Sequence, residues 1–195
     1  MIASRSRPAV FLDRDGVLNE AFVHDGVPSP PRSLEEFRVL PGVAEACADL
    51  RRAGFVLVVV TNQPDIARGT QIRAEIDRMH ERLRRLVPLD EICVCPHDDC
   101  DACTCRKPHP GMLLGAAKRL NLDLARSVGV GDRWRDVEAA RRAGVRAVFV
   151  QCRAGEPTPF GAHATVANLP EATAWIKQQK WAPEGEGPED DRSRT

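Results

Sequence analysis

The sequence lacks the features that identify several large classes of protein. No apolar run approaches the ~20 residues that cross a bilayer, so we expect no membrane-spanning helix. The 28 Lys and Arg residues are balanced by 28 Asp and Glu residues, and without a positive surplus a general affinity for nucleic acid or anionic membranes has no support. Glycine motifs of the forms G-x-G-x-x-G and G-x-x-x-x-G-K-[ST] are also absent, which argues against dinucleotide-binding and P-loop sites.

The size and composition are those of one soluble domain. The chain has 195 residues, of which 43% are hydrophobic and 29% charged. We expect residues 1–181 to form this domain and residues 182–195, which hold mainly Pro, Gly and charged side chains, to be a disordered tail. The beginning of the sequence lacks the apolar core of a signal peptide, so we expect a cytoplasmic protein. The sequence has no heptad pattern of apolar residues that would indicate a partner helix, so we expect a monomer.

Apolar runs alternate with amphipathic stretches along the chain. The runs are rich in β-branched residues and predict buried strands at 8–13, 55–61, 91–95, 127–132 and 145–150, with a weaker strand at 163–169. Helical periodicity predicts helices at 43–53, 72–86, 111–120 and 136–143, and a last helix ending near Trp181; residues 25–32 are predicted as a loop. The alternation predicts an α/β fold, a doubly wound parallel sheet with helices on both faces. Such sheets bind ligands at the carboxyl ends of their strands.

Two carboxylates follow the first predicted strand. Asp13 and Asp15 lie two residues apart, so an extended chain would point both to the same side at the mouth of the sheet. Carboxylates this close repel, and the pair therefore indicates either a cation between them or a raised pKa on one of them. An ionised Asp can act as a nucleophile and a protonated neighbour as a general acid. A solvated pair in the turn before Gly16 is the structural alternative.

Other polar residues follow the later strands. The second strand ends in Thr61, Asn62 and Gln63, a run of hydrogen-bonding side chains that is also typical of a helix N-cap or a polar turn. The fourth strand ends at Asp132, and Asp136 falls in the first turn of the next helix, where a carboxylate is favoured on electrostatic grounds alone.

Five of the seven cysteines crowd into residues 93–105. Together with His97 they offer more soft ligands than the four that a zinc ion takes, and a cluster of this kind is more typical of a metal site than of a disulfide framework. A redox pair formed by Cys100 and Cys103 is the alternative, but it does not require the flanking histidine and cysteines. The sequence therefore favours a zinc-binding loop at residues 95–105. Lys107 follows this loop, and on its own it could be an ordinary surface lysine.

Taken in chain order, these residues resemble the four motifs of the haloacid dehalogenase superfamily of phosphotransferases. The match covers residues 8–150 and consists of Asp13-x-Asp15, Thr61, Lys107 and Gly131-Asp132-x-x-x-Asp136. The resemblance implies that Asp13 attacks phosphorus, that Asp15 acts as general acid and then as general base, and that Thr61 and Lys107 hold phosphoryl oxygens. It also implies Mg²⁺ bound by Asp13, the backbone carbonyl of Asp15, and Asp132, with Asp136 orienting the metal's waters or Lys107. These are the elements that phosphate-ester hydrolysis requires.

Within the superfamily, the zinc loop resembles that of the capless histidinol-phosphate and heptose-bisphosphate phosphatases. The resemblance implies a structural zinc held by Cys95, His97, Cys103 and Cys105, with Cys100 as a possible competitor and Cys93 in the core. The segments between the motifs are too short for a separate cap domain. Substrate specificity would then lie in three loops, at residues 23–32 and 63–69 and in the zinc loop.

The chain resembles the heptose-bisphosphate phosphatases most, which implies removal of the C7 phosphate from a sugar bisphosphate. The motifs are Asp13-Arg-Asp-Gly-Val-Leu-Asn19, residues 59–63, residues 66–69 and residues 105–113. The resemblance implies that Arg106 and Lys107 contact substrate phosphates and that Asn62 and Gln63 lie near the transferring group. Pro64 and Asp65 depart from the usual Ser and Gly. Histidinol phosphate or another small phosphomonoester is the alternative substrate, and a non-catalytic zinc-stapled binding module is the alternative of a different class.

Overall fold

A six-stranded parallel sheet forms the centre of the molecule in the computed structural model, which describes residues 6–24, 27–151 and 158–180. The strands of this sheet and a separate hairpin are β1 (Arg7–Leu12), β2 (Phe22–His24), β3 (Val27–Ser29), β4 (Val56–Asn62), β5 (Glu91–Cys95), β6 (Leu122–Gly131), β7 (Arg146–Val150) and β8 (Ala164–Val166). The helices are α1 (Val43–Arg52), α2 (Arg73–Leu86), α3 (Gly111–Leu120), α4 (Trp134–Arg142) and α5 (Leu169–Gln178). The sheet order is β5-β4-β1-β6-β7-β8, and every neighbouring pair is parallel.

Helices cover both faces of this sheet, and the alternation of side chains along each strand separates two cores. On one face Val10, Leu12, Leu57 and Val59 pack with buried residues of α1, α2 and α5. On the other face the intervening residues, such as Phe11 and Val58, pack with α3 and α4. Because both faces are buried, the strands are almost continuously apolar, which is the pattern expected of a parallel sheet. The predicted doubly wound α/β fold is confirmed.

Most element boundaries lie within one or two residues of the prediction. The bounds of β5 and α3 agree with it, and Gly54 and Gly144 adopt positive φ angles of 92° and 71° directly after the caps of α1 and α4. Helix α5 is described to Gln178, and the predicted tail at 182–195 lies outside the described residues.

Three elements differ from the prediction. Strand β8 ends at Val166, three residues before the predicted 169, because the Asn168 side chain already caps α5, which begins at Leu169. Part of the segment predicted as a loop, residues 25–32, belongs to an antiparallel hairpin in which Val23 pairs with Pro28. A proline is tolerated in such a two-stranded ribbon because both of its strands are edges. Strand β6 begins five residues before the predicted 127, since Leu122 and Asp123 already pair with β1 ahead of a shift in register. Ser127 stabilises that irregularity, because its hydroxyl accepts a hydrogen bond from the Ala9 N–H at 2.9 Å.

No cap domain interrupts the fold within the described ranges. Only the β2–β3 hairpin and α1 lie between β1 and β4, and only α2 lies between β4 and β5. Across residues 6–24, 27–151 and 158–180, none of the helices combines the length and apolar character needed to cross a bilayer. The strand order places the carboxyl ends of β4, β1 and β6 side by side, and this edge of the sheet is open to the surrounding loops.

Candidate active site

The polar residues predicted at the strand ends meet at this edge. Asp13 directly follows β1, and its backbone N–H donates to the Val130 carbonyl of β6 at 2.9 Å. Thr61 lies near the end of the neighbouring β4 and Asp132 directly after β6 on the other side. All three are buried, and the strands that carry them are neighbours in the sheet.

Lys107 is the centre of the site's charge network. Its ammonium lies 2.8 Å from Asp13 Oδ1 and 2.5 Å from Asp136 Oδ1, and it donates to the Val60 carbonyl at 2.7 Å. Only 3% of the residue is exposed, and burial alone would lower its pKa, but Asp13 and Asp136 raise it. The lysine therefore stays charged and holds two carboxylates from different elements in fixed positions.

A cluster of carboxylates surrounds this lysine. Oxygens of Asp13, Asp132 and Asp136 all lie within 4.8 Å of one another. Burial, reinforced by Asp13 and Asp136, raises the pKa of Asp132 to about 8. Burial also raises the pKa of Asp13 to about 6, against the opposing effect of Lys107. One lysine therefore does not neutralise the cluster, and the arrangement favours an additional cation.

Asp132 shows where a cation could bind. Its Oδ2 lies 3.3 Å from the Arg133 guanidinium, whereas its Oδ1 is buried and has no hydrogen-bond partner among the described residues. The backbone of Gly16 approaches closely, since a Cβ at that residue would lie 2.5 Å from Asp132 Oδ2. Gly16 also has a φ of 87°, which a side chain would strain. A buried, unpartnered carboxylate oxygen beside two other carboxylates is a donor set that suits a hard divalent cation.

Asp15 is held by three neighbouring side chains. Arg14 donates through Nε to Oδ1 at 3.1 Å and through a terminal nitrogen to Oδ2 at 3.0 Å. Asn19 donates to Oδ1 at 2.9 Å and Gln63 donates to Oδ2 at 2.9 Å. The side chain is still 19% exposed. Asp15 is therefore fixed in orientation and open to a molecule in the cleft.

The residues after β4 connect this site to its surroundings. The Gln63 amide donates to the Thr61 hydroxyl at 2.8 Å as well as to Asp15, so it links the two. The Asn62 side chain pairs with the backbone of Lys107, accepting from its N–H at 3.1 Å and donating to its carbonyl at 3.0 Å. Asn62 thus fixes the segment that carries the lysine, and it also lines the cleft.

The zinc loop brings together the four predicted ligands. The sulfur atoms of Cys95, Cys103 and Cys105 are 3.2–3.7 Å apart, and His97 Nδ1 lies 3.6 Å from Cys95 Sγ and 3.3 Å from Cys105 Sγ. Zn–S bonds of about 2.3 Å at tetrahedral angles would place two sulfurs about 3.8 Å apart. The observed spacing is close to that value. Among the described residues, Cys100 is exposed on a short 3-10 turn and is not part of this group, and Cys93 is buried in the core.

A cleft of about 330 Å³ opens above Asp15 and Lys107. Its lining carries further cationic side chains and an exposed aromatic one: Arg68, Arg106, Arg133, Trp134 and Arg135. Of these only Arg106 was predicted from the sequence as a site residue. Its guanidinium is bound to Asp99 at 2.7 Å and to the His97 carbonyl at 3.1 Å, so the zinc loop positions it.

Arg68 extends this network to the segment after β4. It binds both carboxylate oxygens of Asp98 at 2.7 Å and holds the pKa of that carboxyl at about 2. This pair joins the 63–69 loop to the zinc loop, and Arg68 lines the cleft. The sequence placed Arg68 in a motif and in a loop expected to determine specificity, but it did not name the residue as a site residue. Arg133 and Arg135 had no signal at all, because an arginine at the start of a helix is usually an exposed surface charge.

A second hollow, of about 540 Å³, does not fit the same chemistry. The described residues that line it are mostly apolar, and Glu20 is the one charged residue among them. A phosphate ester would find no cation there to balance its charge. The site therefore lies in the cleft over Asp15 and Lys107.

Comparisons with known proteins agree with this geometry. Residues 31–144 match the family model described as haloacid dehalogenase-like hydrolase. The D-glycero-beta-D-manno-heptose-1,7-bisphosphate 7-phosphatase of Escherichia coli (strain K12) is 40% identical over 91% of this chain and 98% of its own length. The relative of that name from Bordetella bronchiseptica is 38% identical over 84% of this chain and 89% of its own.

Solved structures give the same result. The D,D-heptose 1,7-bisphosphate phosphatase from B. bronchiseptica, complexed with magnesium and phosphate, superimposes with a TM-score of 0.76. It is 34% identical, and the match covers 89% of this chain and 99% of that one. The corresponding phosphatase from Burkholderia thailandensis has a TM-score of 0.63 and is 28% identical over 89% of this chain and 100% of its own. This chain belongs to the haloacid dehalogenase-like hydrolases and is a phosphatase of that family.

Proposed function

We propose that this phosphatase removes the C7 phosphate of D-glycero-D-manno-heptose 1,7-bisphosphate, with Asp13 as nucleophile, and that it acts as a cytoplasmic monomer. The observation that carries the chemistry is the position of Asp13, buried at the sheet edge with Oδ1 held 2.8 Å from Lys107. The large apolar side chains exposed among the described residues are Ile72 and Leu86 at opposite ends of α2, Leu114 on α3, Trp134 on α4 and Phe160 before β8, and this scatter supports the monomer.

Asp13 and Asp15 divide the reaction between them. Asp13 attacks phosphorus, the bond to the sugar oxygen breaks, and Asp15 donates its proton to that oxygen. Asp15 then accepts a proton from the water that attacks phosphorus, the bond between phosphorus and the Asp13 oxygen breaks, and inorganic phosphate and the free Asp13 carboxylate are released. The position of Asp15 supports this assignment, because its side chain stays open to the cleft in which the leaving oxygen and the attacking water would lie.

The phosphoryl oxygens need cationic and hydroxyl partners near Asp13. We assign Thr61 and Lys107 to them, with Gln63 between Thr61 and Asp15. Asp136 lies 2.5 Å from the lysine ammonium, so its role is to orient Lys107. Asn62 acts on the same residue from the backbone side.

The carboxylate cluster fits magnesium. Asp13, Asp132 and the backbone carbonyl of Asp15 would hold the ion, and the unpartnered Asp132 Oδ1 is the feature of this chain that supports it. A bound Mg²⁺ would neutralise phosphoryl charge and keep Asp13 ionised in spite of its burial. The B. bronchiseptica relative was crystallised with magnesium and phosphate.

The cysteine cluster fits a structural zinc held by Cys95, His97, Cys103 and Cys105. Four protein ligands leave no open position, so the metal would take no part in the chemistry. Its effect on the site is positional, because the last ligand, Cys105, is followed directly by Arg106 and Lys107.

The substrate assignment depends on the relatives and on the charge of the cleft. A bisphosphate needs cations beyond the site of transfer, and Arg106 is held at the cleft by Asp99. Arg133 and Arg135 line the same cleft. Pro64 and Asp65, which depart from the usual Ser and Gly of the family, line the cleft as well. Any difference in substrate specificity between this chain and its relatives would therefore come from the 63–69 loop. The relatives are named for the beta anomer, and we propose the same preference.

Phosphate release with Mg²⁺ from a panel of esters tests this proposal. The panel is both anomers of heptose 1,7-bisphosphate, fructose 1,6-bisphosphate, histidinol phosphate and an aryl phosphate. We expect kcat/KM for the beta heptose anomer to exceed the others by ~100-fold, or ~2.7 kcal/mol. A preference for histidinol phosphate would change the substrate and keep the chemistry. Turnover that persists in Asp13→Asn, or no turnover of any ester, would contradict the proposed chemistry.

A further inference from the structure

Helix α2 buries a histidine that the chemistry described above does not use. Its inward face carries Ile76, Met79 and Leu83, at the spacing of a helix that packs on a sheet. His80 lies on the same face and is only 6% exposed. A polar side chain buried among apolar ones is nearly always hydrogen-bonded, so the partner of His80 indicates its role.

That partner is Arg14. The His80 Nε2 atom lies 3.1 Å from one terminal nitrogen of the guanidinium, and Arg14 is completely buried. An arginine can only donate hydrogen bonds, so Nε2 must be the unprotonated nitrogen of a neutral ring. The other terminal nitrogen and Nε of Arg14 both bind Asp15, so the guanidinium joins His80 to Asp15.

We propose that His80 is a positioning residue, which holds the Arg14 guanidinium in the plane where its two remaining nitrogens bind the Asp15 carboxylate. The inference rests on the proposed function, in which Asp15 is the general acid and base. His80 contacts no substrate and acts only through Arg14.

The surroundings of His80 favour the neutral ring that this role needs. Burial first, and then the positive charge of Arg14, lower the pKa of His80 to about 4. The other charged groups that act on it are Asp15 and Asp77, which raise the pKa, and Arg73, which lowers it. The ring therefore accepts a hydrogen bond at neutral pH, and Arg14 can bind His80 and Asp15 at the same time.

Loss of the acceptor would leave a buried N–H of Arg14 without a partner. Buried donors are satisfied in nearly all proteins, and the guanidinium would rotate or shift toward another acceptor. Either movement misplaces the proton of Asp15 relative to the leaving oxygen. General acid catalysis matters most when the leaving oxygen is strongly basic, so the defect should depend on the leaving group.

Two variants separate positioning from packing. His80→Met keeps the size and apolar contacts but cannot act as a strong acceptor, whereas His80→Gln supplies an amide oxygen to Arg14. The assay is kcat/KM with Mg²⁺ for an alkyl ester, heptose 1,7-bisphosphate, and for an aryl ester, para-nitrophenyl phosphate. This constant reports the steps up to phosphorylation of the enzyme, where Asp15 acts as the acid.

For His80→Met we expect at least about a 10-fold loss of kcat/KM on the alkyl ester and less than about 3-fold on the aryl ester. His80→Gln should recover most of the loss. Equal losses on both esters, no loss, or no recovery with glutamine would overturn the proposal. Wild-type turnover of the two esters tests the proposed function separately. If His80→Met fails to fold, His80→Gln is compared with His80→Asn, whose side chain is one methylene shorter. For each variant, the loss of kcat/KM on the alkyl ester is divided by the loss on the aryl ester. Equal ratios in the two variants contradict positioning, and unequal ratios support it.

Discussion

Replacing Lys107 by methionine should destabilise the protein in a way that depends on pH. The substitution keeps most of the volume of the side chain and removes its charge. In the native protein this charge lies 2.8 Å from Asp13 and 2.5 Å from Asp136, and both pairs are buried. The variant would leave two buried carboxylates without their shared cation, beside Asp132, which already lacks a partner for one of its oxygens.

The magnitude follows from this geometry. Removing one partner of a buried ion pair costs about 3–5 kcal/mol, because the remaining charge is buried and uncompensated. Here one lysine serves two carboxylates, so we expect the upper part of that range at pH 8. The cost should shrink at pH 5, since Asp13 has a pKa raised to about 6 by burial even with Lys107 present, and without the lysine it becomes neutral more readily.

Urea unfolding of the wild type, Lys107→Met and Lys118→Met at pH 5 and pH 8, with zinc retained and magnesium left out, measures this effect. Lys118 is an exposed lysine on α3, so its substitution controls for the loss of one positive charge. A loss under about 1 kcal/mol at pH 8, or a loss that is the same at both pH values, would refute the reasoning. Lys118→Met should stay within about 0.5 kcal/mol of wild type.

Three more predictions concern the carboxylate cluster and the zinc loop. Gly16→Ala should weaken Mg²⁺ binding measured by calorimetry, because its Cβ would lie 2.5 Å from Asp132 Oδ2 at a φ of 87°; unchanged affinity would contradict the assignment of Asp132. Cys103→Ser should lose zinc, measured by atomic absorption, and lower the melting temperature, because a structural zinc is coupled to folding; a variant that melts like wild type would contradict the zinc site. Burial raises the pKa of Asp132 to about 8 in the magnesium-free native state, whereas an aspartate in the unfolded chain has a pKa of 3.8. Between these two pH values the native state keeps a proton that the unfolded chain has lost. The unfolding free energy of wild type relative to Asp132→Asn should therefore fall from pH 4 to pH 8 in denaturant titrations, and a rise would contradict it.

The parts of the fold that the sequence predicted well are those with local signals. Strand β5 and helix α3 have clear apolar patterns between strong boundaries, and their predicted bounds agree with the structure. The β2–β3 hairpin was missed because its strands have three residues each and include Pro28, which argues against a strand in any local reading. The early start of β6 was missed because it depends on pairing with Arg7 and Pro8, which are far away in the sequence.

The candidate site divides in the same way. The sequence could place Asp13, Thr61 and Asp132 at one edge of the sheet, because polar residues at the ends of parallel buried strands lie at the same edge. The hydrogen-bond partners of Asp15 were not predicted, and Gln63 was expected only near the transferring group. Gln63 follows a strand, but Arg14 and His80 are brought together by the packing of α2, and no local pattern distinguishes His80 from another polar residue of that helix.

Trapping of the phosphorylated enzyme tests the central claim most directly. Asp15→Asn, mixed with excess para-nitrophenyl phosphate and Mg²⁺ and quenched in acid, should carry one phosphoryl group per chain. The good leaving group needs little help from a general acid, whereas hydrolysis of the intermediate still lacks its base. Peptide mapping by mass spectrometry should place the phosphoryl group on Asp13, and Asp13→Asn should carry none. A phosphoryl group on another residue, or release of nitrophenol without any labelled enzyme, would contradict the account.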